Sequence, residues 1–362
     1  MQQPPAPFSC TFTPNVPELL RKLQCTLAIS TYQAGKLIFI SAINDEQLVQ
    51  LPRQFDKAMG IAFDGKRLAL ATKNEIIVLA DGAALAKEYP VQPHTYDHLF
   101  IPRATYYTGP LDIHDLSWTS NGLVGVNTQF SCLSKVSDTY NFEPLWSPSF
   151  ISDLIPEDRC HLNGMAIKDG KPLYATALGK TDHLKGWRES IETGGLVMHV
   201  GRDEIVAHSL PMPHSPQIFD EDLYILCSAT GELRLVDTNS GTTKTVLRLN
   251  GFVRGMDKKG DYLFIGMSRI RQNTSVFRNL PIAQKATQCG VAIVHLPTAS
   301  LAGHITYASS VEEIYDIKIL SNMIRPGILN PSRSEHRQAI VTPQDSFWAI
   351  SRNEQNTPRD SE

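Results

Sequence analysis

The chain repeats itself, and the repeat constrains its fold more than any other feature. Six segments share one pattern: a short polar cluster, an apolar strand, a Gly-bearing turn and a second β-rich strand. They are AMGIAFDGKRLALATKNEIIVLA (58–80), IHDLSWTSNGLVGVNTQFSCLSKV (113–136), LNGMAIKDGKPLYATALG (162–179), HSPQIFDEDLYILCSATGELRLVDTNSG (214–241), VRGMDKKGDYLFIGMSRIR (253–271) and IYDIKIL (314–320). Aligned on Met59, His114, Asn163, His214, Arg254 and Tyr315, the units are 55, 49, 51, 40 and 61 residues apart, a mean of about 51. Strand pairs joined by tight Gly turns at such a period are blades of a β-propeller.

The sixth unit stops after one strand, while the N-terminus holds three further strand candidates, LAISTY (27–32), KLIFISA (36–42) and QLVQL (47–51). One inner strand near 313–320 and three outer strands from the other end of the chain close a ring and leave no open edge. The expected fold is therefore all-β: a single six-bladed propeller over 27–330, with a seventh blade only if 81–110 or 272–310 hold more strands. Residues 1–26 read as an N-terminal extension with a short helix at PELLRKL (17–23), Pro in its first turn. KGWRESIE (185–192) reads as a loop or short turn. Residues 331–362 read as a polar tail, partly disordered, NEQNTPRDSE above all.

Composition removes several classes of function. The chain of 362 residues is 42% hydrophobic, too apolar for a disordered protein. With 34 bases against 37 acids it lacks the basic footprint of a nucleic-acid binder. No apolar run reaches 18 residues, so no membrane partner is expected. The opening MQQPPAPFSC has neither the basic nor the apolar region of a secretory signal, which makes a cytoplasmic protein the expectation. Six cysteines, at 10, 25, 132, 160, 227 and 289, form no CxxC pair and read as free, buried thiols. Cys160 adjoins His161, but neighbours on a strand face opposite ways, which argues against a Cys–His nucleophile. There is no GxSxG, Walker A, GxGxxG or EF-hand loop, hence no nucleotide cofactor.

In a propeller the first strand of each blade lines the central channel, so the alignment is a map of one channel mouth. The mapped ring is Met59, His114, Asn163, His214, Arg254 and Tyr315, with Lys57, Asp112, Asp115, His161, Ser215, Glu313 and Asp316 beside it. His114, His161 and His214 fall on three consecutive blades. Imidazoles in such a set suit a divalent transition metal (Zn, Fe, Cu or Mn), with Glu313 as a carboxylate ligand, or acid–base catalysis together with Tyr315. Arg254 suits a carboxylate or phosphate, or an ion pair with Asp316 or Glu313. Asn163, Asp115, Lys57 and Arg269 are further substrate-binding candidates, and Arg271 is open to the same two readings as Arg254. The insertion TALGKTDHLKGWRESIETGG (176–195) offers Trp187 and Arg188 as a lid over a polar ligand.

The strings TFTPNVPELLRKLQCTLAISTYQAGKLIFIS, IHDLSW, CHLNGMA, ATALGKTDHLKGWR, MPHSPQ, GFVRGM, IGMSRIR and EEIYDIKIL together resemble a family of bacterial conserved hypothetical proteins, treated as a domain of unknown function. The resemblance runs from about residue 11 to 330. NGMAIKDGKPLYAT also looks like the blade opening of gluconolactonase-type and strictosidine-synthase-like six-bladed propellers. That likeness implies a central divalent metal or an acidic residue for lactone hydrolysis or condensation. Only Asn163 matches the Glu, Asn and Asp set of the first type, and His114 and His214 in place of acids or amides imply a softer metal than Ca²⁺.

The leading expectation is an enzyme acting on a small anionic or polar substrate, with His114, His161, His214 and Tyr315 catalytic and a metal polarising a carbonyl or activating water or oxygen. Two alternatives stand beside it. One is a non-catalytic propeller that binds a peptide, a sugar or a carrier protein. The other is a metal-independent lyase, cyclase or epimerase using His and Tyr315.

Overall fold

The computed structural model describes residues 5–270, 277 and 279–349. Arg271 and the NEQNTPRDSE segment lie outside them. Six four-stranded antiparallel sheets follow one another around a channel. Blade 1 is Ile61–Phe63, Arg67–Ala71, Glu75–Asp81 and Leu99–Tyr107. Blade 2 is Ile113–Thr119, Gly122–Asn127, Cys132–Lys135 and Glu143–Trp146. Blade 3 is Leu162–Lys168, Lys171–Ala177, Gly195–His199 and Glu204–Leu210. Blade 4 is Pro213–Phe219, Asp222–Cys227, Glu232–Val236 and Thr243–Arg248. Blade 5 is Phe252–Lys259, Tyr262–Ser268, Cys289–His295 and Ser300–Tyr307. Blade 6 takes its inner strand, Asp316–Ser321, from one end of the chain and Cys25–Thr31, Lys36–Ala42 and Leu48–Gln54 from the other. Among the described residues, the 81–110 stretch supplies the outer strand Leu99–Tyr107 of blade 1, and the 272–310 stretch supplies Cys289–His295 and Ser300–Tyr307 of blade 5, with no seventh blade.

Blades stack because both faces of their middle strands are apolar, and period-two alternation sends successive side chains to opposite neighbours. In blade 6, Leu27 and Ile29 pack with Phe264 and Val291 of blade 5, while Ala28 packs with Ile61 and Leu70 of blade 1. The other blade interfaces each carry a buried cluster built the same way. The core is thus a ring of six seams. The helix Val16–Lys22 caps the seam between blades 5 and 6 with Val16 and Leu20. Just before it, Cys10–Phe12 adds a fifth strand to blade 5. After blade 6, Gly327–Ile328 pairs in parallel with the outer strand of blade 1, and on the tail a hairpin (Ala339–Val341, Ser346–Trp348) packs Trp348 against Tyr89. Among the described residues no helix is long and apolar enough to cross a membrane.

The residue after each ring position alternates: Gly60, Asp115, Gly164, Ser215, Gly255, Asp316. A Cβ on Gly60 would lie 2.8 Å from the Asp115 Cα, and one on Gly255 would lie 2.7 Å from the Asp316 Cα, so those odd blades have room only for glycine. The even blades use the space to reach onward. Asp115 accepts from the backbone N–H of Met165 (3.0 Å), Ser215 from that of Gly255 (2.9 Å) and Asp316 from that of Ile61 (2.9 Å). Each even blade is thereby latched to the next odd one. Inside this ring lies Lys318, 3.6 Å from the Asp316 carboxylate. Burial opposes its charge, but Asp316, Asp115 and Asp257 keep it protonated.

Candidate functional site

At one mouth of the channel the ring residues His114, His214, Arg254 and Tyr315 line a cavity of about 410 Å³. That volume lies within the roughly 300–1,000 Å³ of small-molecule pockets. The chain enters several inner strands through a residue in the left-handed region two positions before the ring: Lys57 (φ 49), Asp112 (φ 54), His161 (φ 50) and Met212 (φ 57). Non-glycine residues adopt this conformation at a cost, and such strain concentrates at functional sites. Here the turn leaves the carbonyls of Asp112 and Met212 as acceptors for the imidazoles that follow. His114 Nδ1–H donates to Asp112 O (3.0 Å), and His214 Nδ1–H donates to Met212 O (3.0 Å) and Ser228 Oγ (2.8 Å). Ser228 gives its own proton to Val253 O (2.6 Å), so at His214 the proton on Nδ1 is required and Nε2 keeps its lone pair. Burial and then the Arg254 charge hold both imidazoles well below the usual histidine range, and they are neutral acceptors.

His161 occupies the strained position itself, two residues ahead of Asn163. Its Nδ1–H donates to the Asp158 carboxylate (2.9 Å), whose other oxygen accepts from Trp187 Nε1–H (3.0 Å). Trp187 belongs to a 3₁₀ turn, Gly186–Ser190, and packs its ring 4.3 Å from that of His161. The insertion is fastened to the neighbouring turn by Arg159, which bonds Glu157 (2.8 Å) and Asp182 (2.6 Å). His161 and His114 meet edge to face at 4.8 Å, and His114 meets Tyr315 at 5.5 Å. Arg254 stacks on the Tyr315 ring, 3.3 Å from its centroid, and Tyr315 stacks on Tyr32 at 5.8 Å. Among the described residues, the Arg254 Nη2, Arg269 Nε and Tyr315 hydroxyl are buried without a hydrogen-bond partner. Burial also pushes the Tyr315 hydroxyl well above the usual tyrosine range, so it is a donor.

The family model described as Domain of unknown function (DUF4915) matches residues 14–329. The chain belongs to the DUF4915 family. No curated protein matches it. Among solved structures it resembles a chain of the nidogen/laminin complex, with a TM-score of 0.54 and 11% identity over 82% of this chain and 99% of that one. The Neurospora crassa Pan2 WD40 domain matches with a TM-score of 0.39 and 13% identity, over 67% of this chain and 64% of that one. The first of these likenesses is one of fold alone.

In this DUF4915 chain the cavity gathers His114, His161, His214, Tyr315, Arg254, Arg269, Trp187, Arg188 and Glu313 from the sequence-derived set. Three expected contacts sit elsewhere. Asp115 is turned into the channel interior as a latch to blade 3. Asn163 is buried between blades, donating to Pro213 O (2.9 Å) and accepting from Thr176 Oγ1 (2.6 Å). Lys57 lies off the cavity wall, over the Tyr32 ring at 5.0 Å. Asp316 bonds backbone N–H groups and Lys318, not Arg254. His114 and His161 are close, but His214 makes its ring contact with Phe252 at 6.1 Å. Among the described residues no three His, Cys, Asp or Glu side chains are gathered to hold a metal ion. Cys160 is buried and its thiol is pushed up to about 12, inert beside His161. Repeat reasoning missed Asp158, Tyr32 and Phe252. Phe252 was open to discovery, because it too stands two residues before its ring position.

Proposed function

We propose that this protein is an enzyme that moves a proton on a small carboxylate bound at the channel mouth. The observation that carries the reading is two buried donors with no partner among the described residues, Arg254 Nη2 and the Tyr315 hydroxyl, on side chains that line the cavity together with His161 and Asp158. An orphaned buried donor costs about 1–3 kcal/mol unless a ligand satisfies it. A carboxylate, with its acceptors in one plane, fits a guanidinium edge. Asp158 fixes the His161 tautomer through Nδ1, which leaves Nε2 to accept a substrate proton and return it. Tyr315 donates to the oxygen that gains charge, and neutral His114 and His214 accept from substrate hydroxyl or ammonium groups.

Ligation of Zn, Fe, Cu or Mn by His114, His161, His214 and Glu313 has suitable donor types. The version that needs only side-chain acids and bases rests on the His161–Asp158 pair.

The test is solvent-deuterium incorporation into a panel of 2-oxo and 2-hydroxy carboxylates by the full chain in D₂O, read by proton NMR. Incorporation is expected to fall at least a hundredfold in His161→Asn and in Tyr315→Phe, and to persist in EDTA. A panel with no His161-dependent exchange overturns the catalytic reading. Exchange abolished by EDTA and restored by one metal overturns its metal-free form.

A further inference from the structure

The walls of the cavity are not alike, and their division defines a class of substrate. Leu178, Trp187, Met212, Phe252, Ile270 and Phe277 line it and belong to one hydrophobic cluster contributed by blades 3, 4 and 5. Within that wall Phe252 and Phe277 meet at 5.9 Å, tilted, and Phe252 also faces the His214 ring. A second group of lining residues comes from blades 5, 6 and 2. It is the stack Arg254–Tyr315–Tyr32 with His114 against its edge and Asp112 beside it. A ligand that fills the space must therefore be polar at one end and apolar at the other. The aromatic side chains offer flat faces and edges, and rings prefer offset or edge-to-face partners of the same kind.

We infer that the substrate is an amphipathic monocarboxylate with a planar, ring-sized apolar body, its carboxylate on Arg254 and Tyr315 and its ring against Phe252. This rests on the carboxylate reading of the site and narrows it. A small polar acid would leave the apolar wall facing water, whereas a neutral aromatic would leave both buried donors unpaired. Only a ligand with both ends satisfies both walls.

Calorimetry on the full chain with three probes separates the two ideas: 3-phenylpropionate, propionate and 3-phenylpropionamide. The acid with the ring is expected to bind at least tenfold more tightly than either of the others. Arg254→Met is expected to remove the preference for acid over amide, and Phe252→Ala the preference for ring over no ring. Thermal melts of both variants, each a single cooperative transition, establish that they are folded. If propionate binds as well as 3-phenylpropionate and still depends on Arg254, the ring-bearing class is overturned and the carboxylate site survives. If no probe binds, or the acid and the amide bind alike, both fall together.

Discussion

The imidazole of His214 lines the cavity, with its Nδ1 proton shared between a carbonyl and a hydroxyl. His114 repeats the arrangement one carbonyl at a time. Both groups have folded-state pKa values below the unfolded 6.5, so their contribution to stability is present above that pH and is lost as the pH falls below it. Urea midpoints of the wild type should therefore drop between pH 7 and pH 5 more than those of the double variant His114→Asn, His214→Asn, whose amides imitate Nδ1–H without titrating. Asp115 acts with the opposite sign. Burial and the neighbouring Asp316 raise it to about 6, with Lys318 opposing, so its contribution is fullest below about 3.8 and is lost as the pH rises to about 6. Asp115→Asn, compared with wild type by urea titration between pH 4 and pH 7, should be relatively more stable at the upper end than at the lower.

How much of the site could be read in advance also divides at this scale. The ring residues were legible because they recur in register, and the left-handed position two residues earlier was legible in principle for the same reason. Asp158 and the aromatic wall belong to turns and insertions that share no register, so no period points to them. Asp115 and Asn163 misled because a polar residue at a strand opening looks alike whether it faces a ligand or the next blade. Only the packing distances separate the two uses.

Among elements, the inner strands are the ones most closely fitted to one another. Their approach is set by Gly60 and Gly255, where an added methyl would press on neighbouring backbone rather than on a side chain that could turn away. Gly255 is also left-handed, at φ +73. Gly255→Ala should cost at least about 2 kcal/mol in chemical denaturation, from overpacking and from the forbidden conformation together. Gly201→Ala is the control. Only the His199 ring, no nearer than 3.5 Å, approaches its new methyl, and stability should move by less than about 0.5 kcal/mol. The strand order itself was readable from the sequence, including the split sixth blade. The added edge strand Cys10–Phe12 and the parallel pairing of Gly327–Ile328 were not, because segments of three and two residues carry no periodicity.

At the scale of the whole molecule, both ends of the chain meet in blade 6, where Cys25–Ser30 pairs along the full length of Asp316–Ser321. A ring closed this way has no terminal blade from which to fray. A chain ending at residue 312 would lose that inner strand, leaving three N-terminal strands and the seam against blade 5 unsupported. By circular dichroism it should lack the single cooperative thermal transition expected of the full chain; an unchanged transition would mean that closure contributes nothing. The alternation of bare and substituted positions around the channel also limits how such a ring could change its size. One extra blade would set two glycines side by side, leaving a backbone N–H without its acceptor, or two acceptor residues, crowding a gap that admits one. Growth by single blades is closed to this architecture, and growth by doublets is open.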